Sequence, residues 1–326
     1  MDYLKSKFEN KHILVTGGAG FIGSNITETL LSINSKVTVF DNLETGRIQN
    51  LEAFRNHPNF TFVQGDLRNY EDCLNVMEGI DAVTHQGALG SVPRSIEFPH
   101  KTHEVNATGF LNILQASKEK KIKRFVFASS SSVYGDSAIS PKVEGVEGNL
   151  LSPYAVTKEL NEQYAKVYFR LHGLQTIGLR YFNVFGPNQD PNGVYAAAIP
   201  KFISKMKNGE EIVINGDGEQ TRDFTYVKNA VLANLLALSS DNQDSYGKTY
   251  NVACGDSYSL NYIINTIKGI LVSQDKFNEK CLISNGPERQ GDIRNSLANI
   301  GSISKDLGYE AKYSFHDGIV EYLQSL

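Results

Sequence analysis

Through the first half of the chain, short unbroken apolar runs alternate with stretches whose apolar residues recur every three or four positions. His12–Thr16 reads HILVT, a run of strand length that predicts a buried central strand. Across residues 21–33 the apolar positions Phe21, Ile22, Ile26, Leu30 and Leu31 share one helical face. Further strands are predicted at 36–40, 60–63, 81–85, 125–128 and 175–184. Amphipathic helices are predicted at 104–118, with Val105, Phe110, Leu111 and Leu114 inward, and at 154–171. Strands alternating with helices across short loops imply an α/β fold with a doubly wound parallel sheet.

Glycine and proline break the alternation after Gly186. Beyond it the pattern predicts helices at 195–207, 260–272, 300–307 and 315–323 and a short strand at 211–215. Segments 223–227 and 250–252 are expected to return to the main sheet. Residues 1–180 then form the sheet domain, and 181–326 a smaller α/β C-terminal domain.

Composition narrows the classes. The 326 residues are 40% hydrophobic, enough for a sizeable core, and the net charge of −4 offers no basic field for nucleic acid or an anionic membrane. Cys73, Cys254 and Cys281 form no C-x-x-C pair and cannot all be bridged, which suits reduced thiols and a cytoplasmic setting. The opening MDYLKSKFENK lacks the apolar core of a signal peptide, and no run approaches membrane-spanning length. The histidines are scattered without H-E-x-x-H, so no metal is expected.

Candidate chemistry sits at two strand ends. Gly17-x-x-Gly20-x-x-Gly23 follows the first strand and opens a helix. Glycines let backbone approach a pyrophosphate, and the helix N-terminus offers free N–H groups and positive dipole. Asp41 ends the next strand near the ~20-residue offset at which an acid meets the adenosine ribose, and its charge favours NAD over NADP. Asp41 also fits a turn former before Asn42. The second site is Tyr154 and Lys158, four apart at a helix start marked by Ser152 and Pro153. A phenol with a free pKa of about 10 is a poor base at neutral pH. A neighbouring ammonium stabilises its phenolate. The Ser129–Ser132 run ends the preceding strand and supplies a hydroxyl to hold a substrate oxygen. Alone, Tyr-x-x-x-Lys also fits a solvated helix face.

These motifs, with Asp66-Leu67, Ser-Val-Tyr-Gly at 132–135, Arg180-Tyr-Phe-Asn-Val-Phe-Gly-Pro187 and Asn215-Gly-Asp-Gly218 leading to Arg222-Asp-Phe224, resemble the extended short-chain dehydrogenase/reductase family in its nucleotide-sugar 4-epimerase branch. The resemblance covers nearly the whole chain and implies a Rossmann domain holding NAD. It implies cofactor contacts from Gly17, Gly20, Phe21, Ile22, Gly23, Asp41, Asn42, Asp66, Leu67, Gln86, Ala88, Tyr154, Lys158 and Tyr181. Asn106 is implied as a buried polar group beside the site. Tyr154, Lys158 and Ser130 are the implied catalytic set. For substrate it implies Ser91, Arg94, Ser130, Ser131, Tyr154, Asn183, Ala197, Lys201, Arg222, Arg289, Asp292 and Ser296, with arginine forks matching diphosphate oxygens. Gly87 stands where the family commonly has alanine, and looser packing is expected there.

Dehydratases and decarboxylases of the family carry acids beside the catalytic Ser/Thr. Here Ser130, Ser131 and Ser132 are neutral, which points to hydride removal and return, a 4-epimerase. Ser296, four beyond Asp292, occupies the family's size gate, where a small residue leaves room for an N-acetyl group. The implied substrate pair is UDP-N-acetylglucosamine and UDP-N-acetylgalactosamine. Their uronic acids, plain UDP-glucose and UDP-galactose, a dehydratase or decarboxylase, and a silent NAD-binding module remain as alternatives. A homodimer through residues 104–118 and 154–171 is the family expectation.

Overall fold

The computed structural model describes residues 2–192, 197–287 and 294–326. α1 (Asp2–Phe8) leads into β1 (His12–Thr16), α2 (Phe21–Ser32), β2 (Lys36–Asp41) and β3 (Phe60–Gln64). Then follow α3 (Tyr70–Asn75), β4 (Ala82–His85), α4 (Val92–Glu97), α5 (Pro99–His103), α6 (Gly109–Glu119), β5 (Arg124–Ser130), α7 (Pro153–His172) and β6 (Gln175–Tyr181). The second half gives β7 (Val184–Phe185), α8 (Ala198–Asn208), β8 (Ile212–Asn215), β9 (Thr221–Arg222), β10 (Thr225–Tyr226), α9 (Val227–Ser239) and β11 (Lys248–Val252). It closes with β12 (Tyr258–Ser259), α10 (Leu260–Ser273), β13 (Ile283–Gly286), β14 (Asn295–Ser296), α11 (Gly301–Leu307) and α12 (Phe315–Gln324).

Seven strands form one parallel sheet in the order β11-β6-β5-β4-β1-β2-β3. Both faces are buried, which is why the strands read as continuous apolar runs. Ile13, Val15, Val37, Val39 and Val126 join the core on the α2 and α9 side. Leu14, Phe40, Phe125 and Phe127 join a second core with Phe110, Ile113 and Ala165 of α6 and α7. The strand order reverses between β1 and β4, and a crevice opens at that switch point, where such sheets bind ligands.

Four expectations change. First, α6 is preceded by one π-helical turn, Glu104–Thr108. Its widened backbone turns Asn106 inward, where Oδ1 accepts from Leu89 N at 2.8 Å and Nδ2 donates to Leu89 O at 3.2 Å and Thr157 Oγ1 at 3.3 Å. Asn106→Ala strands buried Leu89 polar groups, so chemical unfolding is expected to show a loss of about 1–3 kcal/mol. Second, the strand predicted over 175–184 breaks at Asn183, which has φ +38°, and β7 leaves the main sheet. Third, segment 223–227 does not return to that sheet. Thr225–Tyr226 pairs in parallel with Val184–Phe185 as a separate ribbon, while the buried Asp223 carboxylate accepts from Cys254 N and Gly255 N, each at 3.0 Å. Segment 250–252 does return, within β11. Fourth, α9 goes unpredicted because it is apolar nearly all round, so no helical period shows.

The helix predicted at 195–207 begins at Ala198 among the described residues, and Tyr195 lies outside them. No helix among the described residues is long and apolar enough to cross a membrane.

Candidate active site

The ends of β1, β2, β4, β5 and β6 and the start of α2 line a cleft of about 440 Å³. Its chemistry runs from a polar outer end, past a glycine turn, to an inner end at α7.

The glycine turn is dictated by contact. Gly17 has φ +65°, and a Cβ there would lie 2.6 Å from Gly87 Cα. A Cβ on Gly23 would lie 2.3 Å from Gly17 O and 2.7 Å from Gly18 Cα. No side chain caps α2 at Gly20. Phe21, Ile22 and Gly23 line the cleft, so the positive end of the helix faces it. Gly87 tightens this region rather than loosening it: a Cβ would lie 2.7 Å from Leu67 Cδ1. The missing methyl leaves Leu67 room to close in.

At the outer end, Asp41 Oδ2 accepts from Ala19 N at 3.0 Å and Oδ1 from Leu43 N at 2.8 Å. Burial raises its carboxyl above the usual value, against those two donors. Asn42 Nδ2 donates to Asp66 Oδ2 at 2.9 Å. Arg68 grips the same carboxylate through Nε at 2.9 Å and Nη2 at 2.6 Å, holding Asp66 well below the usual carboxylate range. Glu44 pairs with Lys101 at 2.6 Å, and Arg47 pairs with Asp190 across the mouth.

The floor is a polar network. Gln86 Nε2 donates to Thr84 Oγ1 at 2.8 Å and to Asn234 Oδ1 at 3.1 Å. Tyr181 OH donates to Gln86 Oε1 at 3.0 Å and accepts from Asn234 Nδ2 at 2.7 Å.

At the inner end, Ser152 Oγ accepts from Ala155 N at 3.2 Å and Pro153 opens α7, which aims Tyr154 and Lys158 at the end of β5. Lys158 Nζ donates to Ala128 O at 2.8 Å and lies 5.9 Å from the centroid of the Tyr154 ring. Ser130 Oγ accepts from Ser132 N at 3.1 Å and lies near enough to the Tyr154 phenol to favour its ionised form. Burial pushes the Lys158 amine down to about 8, with the Glu162 carboxylate pulling it up. Burial also pushes the Tyr154 phenol up, with Ser130 opposing. The phenol thus sits above its ordinary value, whereas a neighbouring cation is expected to lower it.

The cleft gathers all fourteen residues expected at the cofactor, together with Arg94 and Ala197. Ser130 lies outside its lining, beside Tyr154. Ser91 caps α4, its Oγ accepting from Arg94 N at 3.2 Å. Ser131 starts the 3₁₀ turn Ser131–Tyr134, capped by Ser130. Asn183 Nδ2 donates to Asp223 O at 2.8 Å. Lys201 lies on α8, outside the cleft lining. Arg222 and Ser296 lie side by side in a small sheet, also outside it. Arg289 and Asp292 fall outside the described residues. The cleft adds Glu44, Arg47, Asn188 and Asp190 from loops, which carry no periodic signal, and Asn50 from the 3₁₀ helix Ile48–Phe54. Asn234 adds a polar group to the apolar helix α9, a signal readable in the sequence.

The chain matches the model of the NAD dependent epimerase/dehydratase family over residues 13–253. It is 40% identical over 259 residues to a putative UDP-glucose 4-epimerase of Methanocaldococcus jannaschii, covering 78% of this chain and 81% of that one. A UDP-N-acetylglucosamine 4-epimerase from Methanobrevibacter ruminantium, solved in complex with UDP-N-acetylmuramic acid, superposes with TM-score 0.90 and 39% identity over 97% of this chain and 98% of that one. A UDP-N-acetyl-alpha-D-glucosaminuronate decarboxylase of Bacillus cytotoxicus is 30% identical over 319 residues, covering 96% of this chain and 97% of that one.

Proposed function

Because the chain belongs to the NAD dependent epimerase/dehydratase family, we propose that it is a reversible 4-epimerase interconverting UDP-N-acetylglucosamine and UDP-N-acetylgalactosamine. NAD is its cofactor, and the residues present fit that group. The uncapped start of α2 and the close-packed glycines suit a pyrophosphate, and Asp41 and Asp66 suit adenosine hydroxyls and amine. When bound, NAD⁺ supplies the acceptor that takes the hydrogen of sugar C4 and later gives it back.

The single observation that carries the reading is the buried Lys158 amine, held by Ala128 O 5.9 Å from the centroid of the Tyr154 ring at the inner end of the cleft, with Ser130 beside the phenol. Tyr154 takes the proton of the 4-hydroxyl, and Ser130 orients that oxygen. Lys158 spends one donor on Ala128 O and keeps two for the cofactor ribose and the phenolate. Its charge and that of the oxidised nicotinamide together offset the burial that keeps Tyr154 protonated in the chain alone. Return of the proton from Tyr154 to the opposite alcohol closes the cycle. Ser131 and Ser132 follow Ser130 where the dehydration and decarboxylation branches place acids, which favours epimerisation over the activity named for the Bacillus relative. A panel of UDP-sugars read by NMR and mass spectrometry tests this: an epimer of unchanged mass is expected, and loss of water or carbon dioxide contradicts it.

The N-acetyl preference rests on Ser296. Its register partner across the parallel β9–β14 pair is Arg222, proposed for the diphosphate, so a small side chain stands beside the proposed substrate anchor. Ser296→Tyr is expected to cut kcat/KM for the N-acetylated sugar by about tenfold relative to the plain hexose. An unchanged preference discards the gate.

A further inference from the structure

Two consecutive residues at the end of β5 are tied to successive turns of α7. Ala128 O accepts from Lys158 Nζ at 2.8 Å and Ser129 Oγ donates to Glu162 Oε1 at 2.5 Å, while the next residue, Ser130, lies beside the Tyr154 phenol. Tyr154, Lys158 and Glu162 recur every four residues, so they share one face of α7. Glu162 is held from a second strand as well. Arg180 sits opposite Ser129 in the β5–β6 register. It donates Nε to Glu162 Oε1 at 2.9 Å and Nη2 to Oε2 at 2.7 Å. Both side chains are largely buried, at 7% and 9% exposure. The remaining arm of Arg180 reaches Glu147 Oε1 at 2.5 Å. Neither Glu162 nor Arg180 lines the cleft. Both line a separate cavity of about 400 Å³.

We propose that Glu162, clamped by Arg180, is a positioning residue for the reaction: it fixes the height of α7 against the end of β5 and keeps a carboxylate one turn beyond the Lys158 amine. The inference rests on the roles proposed above for Tyr154 and Lys158. A two-pronged grip on a guanidinium allows little rotation of either partner. Sliding α7 by a fraction of a turn breaks the Ala128 and Ser129 contacts together and moves Tyr154 relative to Ser130, and a misplacement of about 1 Å costs about a hundredfold in rate. Charge enters separately. The groups facing Lys158 and Glu162 are Tyr154 on α7, His85 on β4, and Arg180 on β6, which lies 4.9 Å over the Tyr134 ring. Glu144, Glu147, Lys166, Lys248, Tyr250 and Asp306 line the cavity beyond. Burial and Lys158 push His85 down to about 3, so it is neutral. Arg180 is neutralised by Glu147 and Glu162. Glu162 is the carboxylate that draws the Lys158 amine up against burial.

Glu162→Gln in the NAD-loaded enzyme tests this. It is expected to lower kcat by about tenfold while KM and bound NAD stay within about twofold. In ¹³C-lysine-labelled protein, the Lys158 signal, assigned with Lys158→Arg, should titrate at lower pH than in the wild type. Should the Gln variant not fold, Arg180→Lys keeps the cation and loses the fork, and the same fall in kcat at constant KM is expected. Wild-type kcat with an unmoved Lys158 titration overturns the proposal. So does a fall in kcat that follows lost NAD while the titration stays put. If the wild type epimerises no UDP-sugar, the proposed activity fails instead, and the lysine titration alone decides the role of Glu162.

Discussion

Tyr154→Phe should leave a folded, NAD-loaded protein whose kcat is lower by about a thousandfold, near the middle of the range for a lost general acid–base group. The substitution removes one oxygen and keeps the ring that packs beside Lys158, 5.9 Å from its amine. The proposed anchor for substrate is its diphosphate, away from this oxygen, so KM should move by no more than about twofold. Lys158 Nζ keeps Ala128 O, and α7 keeps its Ser152 cap, so bound NAD and thermal unfolding should match the wild type. Coupled assay of the two epimers and absorbance of the released cofactor read all three quantities. Turnover above about a tenth of wild type removes Tyr154 from the mechanism.

Gly23→Ala should yield protein purified nearly free of NAD. The added carbon would lie 2.3 Å from Gly17 O and 2.7 Å from Gly18 Cα, and both neighbours are backbone, so neither can swing aside. α2 must retreat from the turn, carrying its first N–H groups away from the pyrophosphate position. Overpacking of this kind costs about 1–3 kcal/mol, and loss of the ligand removes its own stabilisation as well. Two measurements check this: the cofactor content of purified protein, and unfolding with and without added NAD. Retention of stoichiometric NAD contradicts the assigned role of the turn.

The parallel sheet was legible because burial on both faces writes strands as unbroken apolar runs, as in Val37–Val39 of β2 and Phe125–Ala128 of β5. The residues expected at the cofactor gather in one cleft: the glycine turn, Asp41 and the Tyr154–Lys158 pair are readable from their places along the chain, and the others only through the family resemblance. Three features were not legible. The π-helical turn at 104–108 leaves the apolar spacing almost unchanged, and only the inward amide of Asn106 betrays it. The break after Tyr181 depends on one backbone angle at Asn183. The Arg47–Asp190 and Glu44–Lys101 pairs join loops far apart in the chain, so no local pattern encodes them. Ser129 shows a subtler limit. A run of four serines does not reveal which hydroxyl meets Tyr154, which meets Glu162 and which, like that of Ser132, finds no protein partner.

The central claim is that one hydrogen leaves sugar C4 and returns to the same carbon, with Tyr154 moving the hydroxyl proton. Incubation with UDP-N-acetylglucosamine in deuterium oxide, read by mass spectrometry and ¹H NMR, addresses it directly. The account predicts UDP-N-acetylgalactosamine of unchanged mass, with the original hydrogen at C4 and no deuterium at C4 or C5. A product that has lost water, or that carries solvent deuterium at C5, contradicts it.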